Sequence, residues 1–269
     1  VVDNNSTDNT KQVVEEYCGR NANFRYVFEK VNSSSIARNT GSKVANGLWL
    51  GFIDDDARCP QDYVEKAMII IDQNEFDCFG GRYVAWFKVE PPKWINKNDF
   101  GTAPIMMEKK GILKTQHLSG TSIFVRKNVF EIVGGFNVDL GIKGDKRGYG
   151  EETDFVNRIR TSGSVVGYDP DLFVEHLVNP QKFKLKWHLQ DIVAHSETEY
   201  LIWIRPKTGI EKIRAFKNGF LSFFKTLFNA AISIIKTDDY YWQSYIIDVF
   251  KPFLKICGYL LVITKCERR

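Results

Sequence analysis

Three aspartates in succession, Asp54-Asp55-Asp56, end an apolar run of Leu48-Trp49-Leu50-Gly51-Phe52-Ile53. The run reads as a buried strand. Carboxylates at the carboxyl end of such a strand point into the crevice where open α/β sheets bind ligands. Three adjacent negative charges repel one another, and a hard divalent cation, Mg²⁺ or Mn²⁺, relieves the conflict while sharing its coordination with a phosphate. A solvated turn is the alternative, because Asp is common where strands end.

The elements that must position this triplet follow from pattern and breakers. Val1-Val2 reads as the end of a strand, and Asp3 to Asn9 as a polar loop whose Thr7 or Asp8 caps a helix through Tyr17. Phe24 to Phe28 is a short strand. Ser33 to Gly47 is a helix carrying Arg38 and Asn39 toward a site. Pro60 starts a helix over Gln61 to Asn74. Cys78 to Val84 and Leu118 to Val125 read as strands, with an irregular stretch over 85–116, long for a loop without a function of its own. Lys127 to Val133 is a short helix ending at Gly134-Gly135. Asp139 to Gly150 is a glycine-rich, mobile loop with Lys143, Lys146 and Arg147. Glu151 to Thr161 is helical, and Val165 to Tyr168 and Val174 to His176 are two further strands. A chain that opens inside a strand reads as truncated, with at least one strand and helix removed before Val1.

From Trp187 the pattern becomes helical and rich in Phe, Leu and Ile, over Trp187 to Trp203, Ile210 to Lys236 and Tyr240 to Ile263. Charges and Pro252 interrupt every long apolar run, which disfavours a spanning helix. From Gln181 onward there are 15 Lys and Arg against 8 Asp and Glu, within a chain of net charge +4. A basic apolar tail fits an anionic membrane surface better than nucleic acid, and packing as a helical bundle is the other reading. The five cysteines, without CxxC spacing, fit reduced thiols in the cytoplasm and argue against a zinc site or disulfide framework.

Five segments in order then resemble family 2 glycosyltransferases of the GT-A fold: Val1-Val2-Asp3-Asn4-Asn5-Ser6-Thr7-Asp8; Phe52-Ile53-Asp54-Asp55-Asp56; Leu118 to Arg126 with Val133-Gly134-Gly135-Phe136; Gly150-Glu151-Glu152-Thr153-Asp154-Phe155 with Arg158; and Tyr168-Asp169-Pro170 through Val174-Glu175-His176. The resemblance covers residues 1 to 176. It implies a Rossmann-like α/β/α sandwich with a mixed, mostly parallel sheet over 1–180, followed by a C-terminal helical region over 181–269.

The resemblance also implies roles. Asp54 and Asp56 take the DXD part, Asp56 as the more direct ligand of Mg²⁺ or Mn²⁺, with Asp55 toward the ribose and His176 as a third ligand or a hydrogen-bonding residue. Asp3, Asn4, Ser6, Arg38, Asp54, Asp55 and Gly120 face the nucleotide-sugar. The family often has a carboxylate at the Asn4 position to read uracil, and here stands an amide. Glu152 falls where the family's general base lies, with Glu151 alongside; Asp is usual there, so Glu152 has a longer reach. Adjacent acids at a helix start also complement its dipole. Lys143, Lys146 and Arg147 form a lid over the diphosphate or a solvated charge run, and Trp86, Trp94 and Pro91-Pro92 form an acceptor wall.

No Gln-x-x-Arg-Trp motif follows His176. The processive members of the family this chain resembles carry that motif, so the resemblance implies a metal-dependent, inverting, non-processive transferase. It moves a sugar from a nucleotide-diphospho-sugar, with UDP as carrier, to a glycan or lipid-linked acceptor in polysaccharide or cell-surface glycan biosynthesis. It is expected in the cytoplasm, peripheral at the inner face of the plasma membrane through 210–269, without a nucleic-acid partner. A non-catalytic nucleotide-sugar or carbohydrate-binding module of the same fold is the alternative. A phosphohydrolase reading of the triplet leaves the other four segments unexplained.

Overall fold

The computed structural model describes residues 1–101, 107–204 and 241–266. They divide into two compact units: 1–86, 98–146 and 151–177 form the first, and 87–97, 147–150 and the chain from Val178 onward form the second.

The first unit holds a six-stranded mixed sheet, ordered β3 (Trp49–Phe52), β7 (Ile123–Arg126), β5 (Cys78–Trp86), β8 (Val166–Leu177) and β4 (Ala57–Arg58), with β6 (Gly111–Ile112) pairing β8. β5 and β8 are parallel, and β7 runs antiparallel to both β3 and β5, so β3, β5 and β8 share one direction. The edge strands β4 and β6 run against β8. A separate parallel pair joins β1 (Val2–Asp3) to β2 (Val27–Phe28), flanked by helices α1 (Thr10–Arg20) and α2 (Ser34–Val44).

The two-residue period of the strands builds a layer on each face. Leu50, Cys78, Ile123, Val125, Val166 and Tyr168 face Val129 and Phe130 of α4 (Lys127–Ile132) and Phe155, Val156 and Ile159 of α5 (Glu151–Thr161). Phe79, Leu172 and Val174 face Tyr63, Ala67 and Ile70 of α3 (Tyr63–Gln73). The expected α/β/α layering is thus present.

Several boundaries differ from expectation. The two strands read around Asp169-Pro170 are one continuous element, β8, but its pairing with β5 is interrupted at the proline: Tyr168 pairs with Gly80 and Phe173 with Arg82, so Asp169 to Leu172 bulge out of the ladder. Leu118 to Ser122 does not pair as strand: a turn from Ser119 to Ser122 lifts the chain over the site before β7 begins. Helix α1 is preceded by Asn9, while the Asp8 carboxylate accepts from Thr10 N. The glycine-rich loop after Asp139, read as mobile, carries backbone hydrogen bonds at Ser34 to Ile142, Gly144 to Asn32, and Lys143 with Lys146.

In the second unit, α6 (Leu185–Glu199) packs along α7 (Trp242–Cys266), with Gly258 against Ser196 and Val193, and Lys255 paired to Glu199 at 2.8 Å. The Ile210 to Lys236 helix lies outside the described residues. Among those described, no helix is long and apolar enough to cross a membrane, and Cys18, Cys59, Cys78 and Cys257 are free thiols.

The bulge of β8 over β5 has a steric condition. A Cβ on Gly81 would fall on the carbonyl oxygen of Leu172, a backbone atom that cannot rotate away. Gly81→Ala is therefore expected to destabilise the first unit by about 3 kcal/mol, read as a fall in the urea midpoint; an unshifted midpoint would show that β5 and β8 can separate freely here.

Candidate functional site

Helix α2 begins at Ser33, whose hydroxyl accepts from Ile36 N. Its first turns set Ser34 and Arg38 four residues apart, hence on one face. Both reach the start of α5. Ser34 Oγ donates to Glu151 Oε1 at 3.2 Å, and Arg38 Nη1 reaches Glu151 Oε1 at 3.2 Å and Glu152 Oε1 at 3.3 Å. The other end of the guanidinium, Nη2, donates to Asp54 Oδ1 at 2.9 Å. Thr121 Oγ1 donates to Asp54 Oδ2 at 3.2 Å. One cation thus joins three carboxylates from two distant parts of the chain.

Arg38 lies beside the ring of Phe136, at 5.3 Å from its centroid, and its side chain is only 12% exposed. Burial opposes its charge, but Glu152, Asp54 and Glu151 outweigh burial and raise its pKa. The Glu152 carboxyl is pushed up to about 8, first by burial and then by the charge of Glu151, with Arg38 pulling the other way. Glu151 is buried, and its Oε2 has no hydrogen-bond partner. Gly120 completes the enclosure: a Cβ there would overlap Glu152 Oε1 and the Arg38 guanidinium, so any larger residue would displace these two side-chain ends from their present contact.

The triplet presents a second arrangement. Ala57 N donates to Asp54 O at 3.1 Å, closing a four-residue turn. The chain then enters β4, where Ala57 pairs with His176. His176 Nε2 lies 3.1 Å from Asp56 Oδ1, and ligand atoms of Asp54, Asp56 and His176 all fall within 4.8 Å of one another. Two carboxylates and an imidazole suit Mn²⁺, whereas Mg²⁺ prefers oxygen throughout. The donor set therefore fits a divalent cation, and these three residues would hold it. Asp55, between them, has its pKa raised by desolvation first and then by Asp56 and Asp54.

The loop after β1 is a distinct network. Asp3 is buried; its carboxylate accepts from Ser6 N at 2.9 Å and from Tyr26 Oη at 2.7 Å, and those bonds hold its pKa down. Asn4 donates through Nδ2 to Val31 O at 2.6 Å and accepts at Oδ1 from Ser33 N at 2.8 Å. Both ends of the Asn4 amide are thus turned to backbone, where they tie β1 to the start of α2. Asn39, expected toward the site, instead exchanges two hydrogen bonds of 2.8 Å with the backbone of Phe136. Lys143 pairs with Asp139 at 3.6 Å, and Arg147, in the second unit, donates to Trp187 O and stacks on its ring.

The sequence reading brought forward Arg38, Asp54, Asp56, Gly120, Glu151, Glu152 and His176, and the structure gathers them. It passed over Thr121, Ser34 and Phe136. For Ser34 the signal was available in its four-residue spacing from Arg38; for Thr121 it was adjacency to Gly120.

The three-layered α/β fold, with acidic residues at its strand ends, is similar to that of solved GT-A glycosyltransferases. Over 98% of this chain and 76% of the other, it superposes with TM-score 0.57 and 15% identity on the mannosyltransferase PcManGT from Pyrobaculum calidifontis, solved with GDP-Man and Mn²⁺. Residues 1–134 match Glycosyl transferase family 2, and the chain belongs to that family. It is 28% identical over 171 residues to glycosyltransferase AglE of Haloferax volcanii, covering 63% of this chain and 55% of the relative. It is 26% identical over 164 residues to the succinoglycan biosynthesis protein ExoM of Rhizobium meliloti, covering 60% and 50%. The chain thus spans about half the length of these curated relatives.

The raised Glu152 pKa has a stability consequence. A carboxyl that titrates near 8 when folded and near 4.5 when unfolded keeps its proton longer in the native state. The native state then binds more protons between these values, so its stability falls as pH rises through that window. Denaturant unfolding at pH 5 and pH 8 should show this loss, and Glu152→Gln should flatten it. An equal slope in the variant would place the proton elsewhere.

Proposed function

We propose that this chain carries the catalytic domain of an inverting, non-processive, metal-dependent glycosyltransferase. Its donor is a nucleotide-diphospho-sugar with uridine as the base, and its acceptor is a hydroxyl of a growing glycan or of a lipid-linked intermediate. The observation that carries this reading is the joining, through Arg38, of a half-buried Glu152 to the same Asp54 that stands in the Asp54–Asp56–His176 cluster. A glycosyl transfer needs these two things side by side: a base for the acceptor and a counter-charge for the leaving diphosphate.

Glu152 is the base. Its carboxylate takes the proton of the acceptor hydroxyl as the oxygen attacks the anomeric carbon, and attack opposite the leaving nucleoside diphosphate inverts the configuration. Burial raises its basicity into the range where a proton is both taken and released near neutral pH. Glu151 and Arg38 fix its position, and Arg38 offers a guanidinium fork to phosphate oxygen. Asp54, Asp56 and His176 would hold a divalent cation, which would supply Lewis-acid stabilisation of the diphosphate leaving group. Asp3 and Ser6 belong to the nucleotide side, with Asn4 shaping that loop through its backbone bonds. The names of ExoM and AglE support glycan assembly as the setting.

Nucleotide release with an acceptor present, measured with UDP-sugars and GDP-mannose, tests the reading. Glu152→Gln and Asp56→Ala are each expected to lower kcat by roughly 10²- to 10⁴-fold. In the unaltered chain kcat should rise with pH through about 8, because the base must lose its proton, and that limb should vanish in Glu152→Gln. Full activity in both variants would refute the site. Binding of UDP without turnover would favour a non-catalytic module.

The second unit favours a membrane-facing role. On α7, Trp242, Phe253 and Leu260 share a helical face and are exposed, while Tyr259 and Val262 are buried. Together with the basic tail, this supports peripheral binding at the cytoplasmic face of an anionic membrane. Flotation with liposomes containing phosphatidylserine should carry the chain upward at low salt and less at high salt. Absence of flotation at low salt would sink the proposal.

A further inference from the structure

Arg38 and a divalent cation have claims on the same carboxylate. Asp54 accepts from Arg38 Nη2 at 2.9 Å and from Thr121 Oγ1 at 3.2 Å, and it is also one of the three residues whose ligand atoms cluster within 4.8 Å. The guanidinium cannot drift far from this position. It springs from α2, lies beside Phe136, and is anchored at its other end by Glu151 and Glu152. Its charge is permanent at any working pH. A cation entering beside Asp54 therefore meets a fixed positive charge, and it draws on an oxygen ligand that is already engaged.

We propose that Arg38 is an internal counter-cation that competes with the divalent cation for Asp54 and keeps the cation affinity of the nucleotide-free protein low. This rests on the reading of Asp54, Asp56 and His176 as the cation site. The arrangement has a chemical logic. Without a donor, Asp54, Glu151 and Glu152 would be three carboxylates with no cation among them, and Arg38 keeps them together. A nucleoside diphosphate brings oxygens that can accept from the Arg38 fork and that can complete a cation's coordination. Arg38 then has a new partner at the moment Asp54 is needed elsewhere. Cation and nucleotide should accordingly bind together much more tightly than either binds alone.

The test measures Mn²⁺ binding to the full chain without nucleotide, by the EPR signal of free Mn²⁺, and needs no turnover. Asp56→Ala locates the binding and is expected to abolish it. Arg38→Gln removes the charge but keeps the reach and an amide donor; it is expected to bind Mn²⁺ roughly tenfold more tightly, from the loss of one nearby repulsive charge. Arg38→Lys keeps the charge and should stay within about twofold of the unaltered chain, by the same Coulomb argument. Equal or weaker binding by Arg38→Gln, with Asp56→Ala still abolishing it, overturns the competition and leaves the cation site standing. Binding insensitive to Asp56→Ala overturns both. A second measurement needs no substitution. In ¹⁵N NMR of the unaltered chain, saturation with Zn²⁺, a diamagnetic cation that accepts both imidazole and carboxylate, should speed rotation of the Arg38 Nη groups as the Asp54 contact is given up. Unchanged rotation also overturns the proposal.

Discussion

Asp54, Glu151 and Glu152 share a single guanidinium, and the form of the whole site depends on that sharing. The carboxylates come from the turn after β3 and from the first turn of α5, nearly a hundred residues apart. Brought together without Arg38, they would repel, and Glu151 and Glu152 would be left in a site largely closed to water. With Arg38 the cluster becomes a network in which each carboxylate has a charged partner. Removing one member of such a buried network is destabilising by about 3–5 kcal/mol, because it strands the others. The guanidinium is thus structural before it is functional.

Arg38 in turn depends on a frame built from backbone. The ring beside it, Phe136, follows two glycines in the left-handed region, Gly134 at φ 77° and Gly135 at φ 71°. Asn39, one residue along α2 from Arg38, clasps the Phe136 backbone on both its N–H and its carbonyl. Arg158 on α5 donates to the carbonyls of Val133 and Gly135 and is held by Asp154 at 2.8 Å. The glycines, the phenylalanine and the arginine of this stretch therefore form one device. It fixes α2 to α5 at the point where Arg38 must meet Glu151 and Glu152. Phe136 also stacks on Phe155 at 4.3 Å, which seats the device in the core.

The parts of this site that were legible in the sequence share a property: they are charges placed where an element begins or ends. Asp54-Asp55-Asp56 closes a strand and Glu151-Glu152 opens a helix, and a buried strand or an amphipathic helix is readable from its period. Arg38 was legible as a cation on a small-residue helix. Asn39 and Asn4 were misjudged for a common reason. An amide has both a donor and an acceptor, so it satisfies a backbone as readily as it reads a base, and only the fold decides which. Thr121 and Ser34 were passed over because single hydroxyls are common in turns and at helix starts. Pro170 argues for a break, and the ladder does break there: Asp169 to Leu172 bulge away from β5, and what the sequence hid is that β8 resumes pairing with the same strand at Phe173.

A turn and a cation site at the aspartate triplet do not exclude one another. Asp54 to Ala57 is a turn, closed by the 3.1 Å bond from Ala57 N to Asp54 O. What turns this common object into a site is the short edge strand that follows. Leu177 N donates to Asp56 O at 2.9 Å, and Ala57 pairs with His176, so the end of β8 is drawn up against the turn. His176 then comes within 3.1 Å of Asp56. Two residues of β4 are enough to fix the imidazole. The pairing of β4 with β8 brings an imidazole beside a turn that would otherwise carry carboxylates alone, which is the grouping the proposed cation site needs.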